Sequence, residues 1–314
     1  MDRIFANGWT ERFTGYLRFV DERIWRGRRI LVKDDILETQ GLSYTYADGT
    51  NALRQVNLNI KTGEITAVLG GNGAGKSTLF LNFNGILKPS SGQVFFHGKP
   101  LEYSHRSLQE LRRKVGIVFQ DPDTQLFSAS VYQDISFGPV NMKLPEKEVR
   151  IRVAEAMERT GISDLKNKAT HNLSFGQKKR VAIAGVLAMK PEVLVLDEPT
   201  AGLDPMGVSE IMKLLKETQQ ELGLSVVIST HDIDLVPLYC DYAYVMDKGE
   251  IILKGSPKEV FSEKKAIRSV HLRLPRIAHL MEILKDKDDF EFRETAVTIS
   301  EARKVLKDWK NSRI

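Results

Sequence analysis

Gly70-Gly71-Asn72-Gly73-Ala74-Gly75-Lys76-Ser77-Thr78 is the stretch on which the fold turns. It fits the pattern of Gly, four residues, then Gly-Lys-Ser that makes a phosphate loop. Glycines let successive backbone N–H groups turn inward on a triphosphate, because no Cβ obstructs the turn. A helix opening near Lys76 adds its positive end to the same anion. Lys76 supplies a formal charge for the β- and γ-phosphates, and the Ser77 hydroxyl suits a magnesium ion. The flanks agree. Glu64-Ile65-Thr66-Ala67-Val68-Leu69 reads as a buried strand, and Thr78-Leu79-Phe80-Leu81 reads as helix. A merely structural glycine turn requires neither flank nor the Lys-Ser ending.

Working outward, residues 36–63 read as antiparallel β structure, with a turn at Ala47-Asp48-Gly49-Thr50. Pro89-Ser90-Ser91-Gly92 reads as a loop and Gln93–His97 as a strand. Val115–Phe119 is an apolar strand ending at Gln120. Residues 129–170 are mainly helical in pattern, with an amphipathic charged segment over Lys147–Glu158. A helix over Ser174–Met189, a buried strand Val193–Leu196, a helix over Gly207–Glu221 and a buried strand Ser225–Ser229 follow. Strands alternating with helices predict an α/β fold with a mostly parallel sheet and helices on its faces. The helical stretch after Gln120 is an inserted subdomain. Beyond about His271, short helical patterns at Arg276–Leu284 and Ser300–Trp309 flank a charged loop, Lys285–Asp289.

The chain has 314 residues, enough for about two domains or one large domain with an appendage. Hydrophobic content of 42% and charged content of 28% are those of an ordinary globular protein. The longest apolar run, Val181 to Met189, spans nine residues and is too short to cross a bilayer. Charges throughout residues 1–30 argue against a secretory signal. The single cysteine, Cys240, excludes an intramolecular disulfide framework and fits a reducing compartment. A net charge of +5 is compatible with a nucleotide or a membrane surface and selects neither. The histidines at 97, 105, 171, 271 and 279 lack ligand spacing, so no transition-metal site is expected.

Strand Val193–Leu196 runs into Asp197-Glu198. In open α/β sheets, reacting groups gather at the carboxyl ends of strands, which aims both carboxylates at the phosphate loop. Asp197 is suited to hold magnesium through a water, and Glu198 to activate the attacking water. Leu173-Ser174-Phe175-Gly176-Gln177 opens the next helix; Ser174 with Gly176 makes a second backbone anion site. Alone it is an ordinary helix cap.

Taken in order, the phosphate loop, Gln120, Leu173–Gln177, Asp197-Glu198, Ala201-Gly202-Leu203-Asp204 and His231 resemble the ATP-binding subunit of an ABC transporter, over about residues 36–270. The resemblance implies a P-loop ATPase core with an N-terminal antiparallel β subdomain, an inserted helical subdomain and a small C-terminal α(+β) extension, residues 271–314. It implies ATP and magnesium as cofactors and a head-to-tail dimer with a second copy or a close paralogue. ATP would lie between Gly70–Thr78 of one subunit and Ser174, Gly176 and Gln177 of the other. Tyr46 matches the aromatic that stacks on adenine, with Tyr44 the competitor. Gln120 would reach magnesium and the attacking water, His231 the γ-phosphate, and Asp204 the dimer interface. Phe175 stands where the family usually has Gly.

Phe119-Gln120-Asp121-Pro122-Asp123-Thr124-Gln125-Leu126-Phe127, Asp134–Pro139 and the tail Leu272–Arg276 resemble the ATPase subunits of energy-coupling-factor importers, most closely those for cobalt, ahead of nickel and vitamins. That implies a transmembrane coupling subunit, a substrate-binding membrane subunit, and a peripheral place on the cytoplasmic face of the cell membrane. The loop after Gln120 would line the groove that receives a membrane-subunit helix. ABC-type ATPases that act on nucleic acid place a coiled coil between the two halves of the core. Here 52 residues separate Gln120 from Leu173, too few for one, so no nucleic-acid partner is expected. Residues 1–35 stand apart. They read as an extension without fixed structure, as an amphipathic helix touching membrane through Phe13, Tyr16, Leu17, Val20 and Ile24, or as translation assigned upstream of a start at Val32.

Overall fold

The computed structural model describes residues 35–292 and 295–311; the expectations for residues 1–34 lie outside the described residues. Two antiparallel strands, β1 (Asp35–Thr45) and β2 (Asn51–Lys61), pair through the turn at 47–50. With β4 (Ser91–Phe96) and β5 (Lys99–Pro100) they form a four-stranded sheet of order β2-β1-β4-β5. Ser91 and Gly92, expected in a loop, belong to β4, because Ser91 pairs with Ser43 of β1.

The second sheet holds the phosphate loop. It comprises β3 (Ile65–Leu69), β6 (Val115–Val118), β7 (Val193–Leu196), β8 (Ser225–Thr230), β9 (Tyr242–Asp247) and β10 (Glu250–Gly255), in the order β10-β9-β3-β8-β7-β6. Every pairing is parallel except the hairpin of β9 and β10. Strands β3, β6, β7 and β8 are buried along their whole length, as a sheet covered on both faces requires. Their side chains alternate between two cores. Ile65, Ala67, Leu69, Leu194, Leu196, Val226 and Ile228 pack with the helices, whereas Val68, Val193, Val195 and Val227 pack toward the antiparallel sheet.

Helix α1 (Lys76–Phe83) follows the phosphate loop, and α2 (His105–Lys114) leads into β6. Between β6 and β7 lie the inserted helices α3 (Val131–Asn141), α4 (Glu146–Arg159) and α5 (Phe175–Leu187). On α4 the buried residues Val149, Val153, Ala156 and Met157 form one stripe at helical spacing, and the charged residues between them face outward. Helix α6 (Pro205–Leu222) connects β7 to β8.

A short helix α7 (Val236–Tyr239) precedes β9, and past β10 the short helices α8 (Pro257–Ser262) and α9 (Lys264–Ser269) complete the central body. Helices α10 (Arg276–Lys287) and α11 (Ile299–Asn311) enclose a small core of Met281, Ala296 and Ala302. The described part of this segment is helical and contains no strand. The charged stretch Lys285–Asp289, expected as a loop, continues α10 through Lys287. Ile277, Ala278, Met281 and Leu284 carry the apolar stripe to the last turn, where Lys285 and Lys287 suit the negative end of the helix. The Glu282 carboxylate, 11% exposed, anchors α10 to α9 through both guanidinium nitrogens of Arg268, at 3.1 and 2.5 Å.

Candidate active site

The phosphate loop curls tightly because two of its glycines have no room for anything else. Gly75 has φ of 102°, and a Cβ there would lie 2.6 Å from the Ala52 carbonyl oxygen. At Gly70 a Cβ would meet the Met246 carbonyl oxygen at 2.5 Å. The curl is therefore pinned to β2 and β9. Gly71 differs: its φ is ordinary and nothing lies within 4 Å of its missing Cβ. The fold does not require glycine at that position. Asn72, Gly73 and Ala74 complete the turn into α1.

Lys76 is 8% exposed and donates from Nζ to the carbonyl oxygens of Gly70, at 2.8 Å, and Gly71, at 3.1 Å. Its charge thus sits inside the curl. The Ser77 hydroxyl donates to Asp197 Oδ2 at 2.5 Å. The other Asp197 oxygen accepts from Ser229 Oγ at 2.5 Å, and Ser229 Oγ accepts from the Glu198 N–H at 2.8 Å. Strand ends of β3, β7 and β8 thereby converge on one point, as the carboxyl-end rule expects.

Glu198 is 7% exposed and has φ of 46°. That left-handed conformation is uncommon for a residue with a long side chain and costs on the order of 1–3 kcal/mol, so the surroundings must hold it. Its Oε2 is 2.8 Å from His231 Nδ1. A proton on Nδ1 donates to that carboxylate, and the exposed side chain leaves Nε2 open to donate to a further partner when that nitrogen also carries a proton. Behind Glu198, Lys179 Nζ donates to its main-chain carbonyl at 2.7 Å. Burial pushes the Lys179 ammonium down to about 8, against the opposing pull of the carboxylates of Glu198, Asp197 and Asp121.

The remaining expected residues are placed as follows. Tyr46 is 38% exposed, meets Tyr44 edge-on at 4.9 Å, and has its hydroxyl 2.9 Å from Thr78 Oγ1. Tyr44 packs against the apolar core, so Tyr46 is the one with a free ring face beside the phosphate-loop helix. Gln120 is exposed, two residues past the end of β6. The turn that follows it is held by Gln125, whose Oε1 accepts from the Phe119 N–H at 3.0 Å. Lys178 Nζ reaches Asp123 of that turn at 2.6 Å, which ties it to α5.

Ser174 and Gln177 are exposed and partly exposed at the start of α5, and they cap it reciprocally. Ser174 Oγ accepts from the Gln177 N–H, and Gln177 Oε1 accepts from the Ser174 N–H. This leaves the Ser174 hydroxyl proton free to donate outward. A Cβ at Gly176 would make only an ordinary 3.5 Å contact with Leu203. Asp204 caps α6 by accepting from the Gly207 N–H at 2.7 Å.

Two of these groups, Ser229 and Lys179, were missed by sequence reasoning. Ser229 shows only as a hydroxyl in an apolar strand two residues before His231. Lys179 shows only as a charge four residues before the buried Ile183 of α5, on the same face of that helix. Among the described residues no cluster of three or more His, Cys, Asp or Glu side chains is arranged to hold a metal ion, and no helix is long and apolar enough to cross a membrane.

Comparison with known proteins agrees with this geometry. Residues 53–201 match the family described as ABC transporter. The energy-coupling factor transporter ATP-binding protein EcfA2 of Clostridium perfringens is 68% identical over 280 residues, covering 89% of this chain and 98% of that protein. The solved structure of CbiO1 from Clostridium perfringens, described as part of the ABC transporter complex CbiONQ, superposes with a TM-score of 0.70 at 69% identity, over 80% of this chain and all of that one. The dimeric ATP-binding cassette MJ0796, in a post-hydrolysis state bound to ADP and Pi, superposes with a TM-score of 0.65 at 30% identity, over 70% and 98%. A nucleotide fold of this kind, with the phosphate loop, paired carboxylates and histidine at its strand ends, and relatives of this likeness along nearly their whole length, make the chain a member of the ABC transporter ATPases, in the energy-coupling-factor group of ATP-binding subunits.

Proposed function

We propose that this ATPase energises a membrane importer for cobalt ions as one of a pair of ATP-binding subunits seated on the cytoplasmic face of the membrane. The observation that carries the catalytic part is the continuous chain Ser77–Asp197–Ser229–Glu198–His231, which joins the phosphate loop to a buried carboxylate. Gly70–Thr78 binds the phosphates, with Lys76 neutralising them, and Tyr46 stacks on adenine. Ser77, Asp197 and Gln120 offer only oxygen donors, the set a magnesium ion takes, and the ion would offset the charge of the phosphates when bound. Glu198 accepts a proton from the attacking water. His231 holds that carboxylate and presents its second nitrogen to the γ-phosphate.

Two further observations support the pairing. The anion site at Ser174–Gln177 points outward, and Gly176, like Gly71, is not required by this chain's own packing. ATP bound at Gly70–Thr78 is therefore closed over by Ser174 of the partner subunit and its neighbours, with Asp204 at the seam. An exposed aromatic pair, Phe127 and Phe137, with centroids 4.7 Å apart, lies just past Gln120 and suits a helix from a transmembrane coupling subunit. Closure of the pair on ATP then moves that helix, and hydrolysis resets it. The cobalt assignment rests on the kinship of residues 119–127 and 134–139, supported by the likeness to CbiO1.

The test has two parts. Glu198→Gln is expected to keep ATP binding and slow phosphate release by at least ~10²-fold, the scale of a lost general base; near-normal turnover removes Glu198 from that role. Deletion of the gene is expected to abolish cobalt accumulation by cells. Copurification with a vitamin-binding membrane protein, or loss of nickel uptake alone, rejects cobalt.

A further inference from the structure

Among the described residues, Lys179 alone carries a formal charge at 0% exposure; Glu64, Lys76, Asp134 and Glu198 keep 7–9%. Burying an ammonium is costly unless its protons are spent on good acceptors. No carboxylate among the described residues lies within ion-pair distance of Lys179. Its hydrogen bond goes instead to the main-chain oxygen of Glu198. Its remaining shelter is the ring of Phe175, one turn earlier on α5, whose centroid is 5.6 Å from Nζ.

The acceptor is the carbonyl of the residue whose backbone is held in the left-handed region. Glu198 is thus fixed at three points: its N–H by Ser229, its carbonyl by Lys179 and the Ala201 N–H, and its carboxylate by His231. Of these, only the Lys179 bond is charge-assisted at the main chain, and such bonds are roughly twice as strong as neutral ones. Phe175 adds a second contact in the same place. Its ring covers Gly202, where a Cβ would lie 2.9 Å from Phe175 Cε1. The first two turns of α5 therefore grip the loop 198–202 through Phe175 and Lys179 together.

We propose that Lys179 is a positioning residue for ATP hydrolysis, and that with Phe175 above it, it locks the left-handed Glu198 backbone and so aims that carboxylate at the attacking water. Phe175, in place of the glycine usual in the family, provides the cover for the buried ammonium. The same helix is capped by Ser174, so the helix that closes over one ATP also sets the base for another. This inference rests on Glu198 being the base.

Steady-state ATP hydrolysis and binding of a fluorescent ATP analogue by the full chain test it. Lys179→Met is expected to bind nucleotide within about twofold of the parent while kcat falls about tenfold, the scale of one lost oriented bond. Lys179→Gln, which keeps an N–H donor without the charge, is expected to recover turnover to within about threefold of the parent. Unchanged kcat in Lys179→Met, or an equal loss in both variants, overturns the inference. Where Lys179→Met does not fold, Lys179→Gln decides alone. Turnover within threefold of the parent supports the donor role, and a slower rate overturns it. Glu198→Gln measured alongside separates the two failures. A fast Glu198→Gln overturns the base, whereas a slow Glu198→Gln beside a fast Lys179→Met overturns only the role of Lys179.

Discussion

The phosphate loop and the first turn of α5 both place backbone N–H groups at a helix start, the two anion sites of the proposed function, yet they are built in opposite ways. Gly70–Thr78 is enclosed by its own chain: Gly70 and Gly75 press against β9 and β2, Lys76 turns inward, and Ser77 is tied to Asp197. Ser174–Gln177 leans on its own chain only from behind, where Phe175 covers Gly202 and the Lys179 ammonium. Its cap is closed by its own two side chains, and its outer face meets solvent. Each site nevertheless holds a glycine that neither local packing nor a positive φ demands, Gly71 in the first and Gly176 in the second. On the proposed function, the difference means that one site is a finished receptor within the chain and the other a tool for a ligand held by a second subunit.

Lys76→Ala should break the comparison most severely. Removing the charge inside the curl is expected to weaken ATP binding about 100-fold, the upper range for a lost charge-assisted contact. Calorimetry reads it directly, and α5 should be unaffected in the same protein. An affinity within threefold of the parent would mean that the enclosed site does not depend on its own cation.

Ser174→Asp probes the other site. Aspartate caps a helix as well as serine does, so the fold should be retained. Its charge, however, would face a phosphate, and ATP-driven dimerisation is expected to fall by at least about tenfold while ATP binding by one subunit stays unchanged. Light scattering of a Glu198→Gln, Ser174→Asp double variant with ATP measures this against Glu198→Gln alone. Equal dimerisation would remove the second site from the ATP contact.

Tyr46→Ala sharpens the division further, because base affinity should belong wholly to the enclosed half. Stacking is worth about 1–3 kcal/mol, so a loss near tenfold in ATP affinity is expected. Tyr44→Ala is the control. Tyr44 packs in the core, and its removal should lower stability while leaving ATP affinity unchanged.

The two sites also differ in how readily they were legible. The phosphate loop could be read outright, because its glycines, lysine and flanking periodicities are local. The carboxyl-end rule for parallel sheets brought Asp197-Glu198 to its edge, whereas the place of β8 between β3 and β7 had no local mark. The grip of Lys179 on the Glu198 carbonyl joins positions nineteen residues apart across a strand, and no local pattern encodes such a bond. Strands β9 and β10 left weaker marks. β10 alternates exposed and half-buried residues, with Glu250, Ile252 and Lys254 exposed in Glu250–Gly255, the profile of an edge strand rather than a buried one. Helix α2 hides for a similar reason: Leu111 is its one buried residue, so apolar periodicity hardly registers in its charged sequence.

The smallest effect isolates what Ser174 does for its own chain. Its side chain caps α5 by accepting from the Gln177 N–H, and the Gln177 side chain returns the bond. Ser174→Ala loses one arm of that box, which is expected to cost about 1 kcal/mol of stability by urea denaturation. Ser174→Asp keeps the arm and should lose almost nothing. The two substitutions therefore rank in opposite orders in the two assays, Ala worse for stability and Asp worse for ATP-driven pairing. A helix cap with no other duty would rank them in the same order in both, with pairing merely following stability. The reversal is the behaviour that a site serving another subunit's ligand requires.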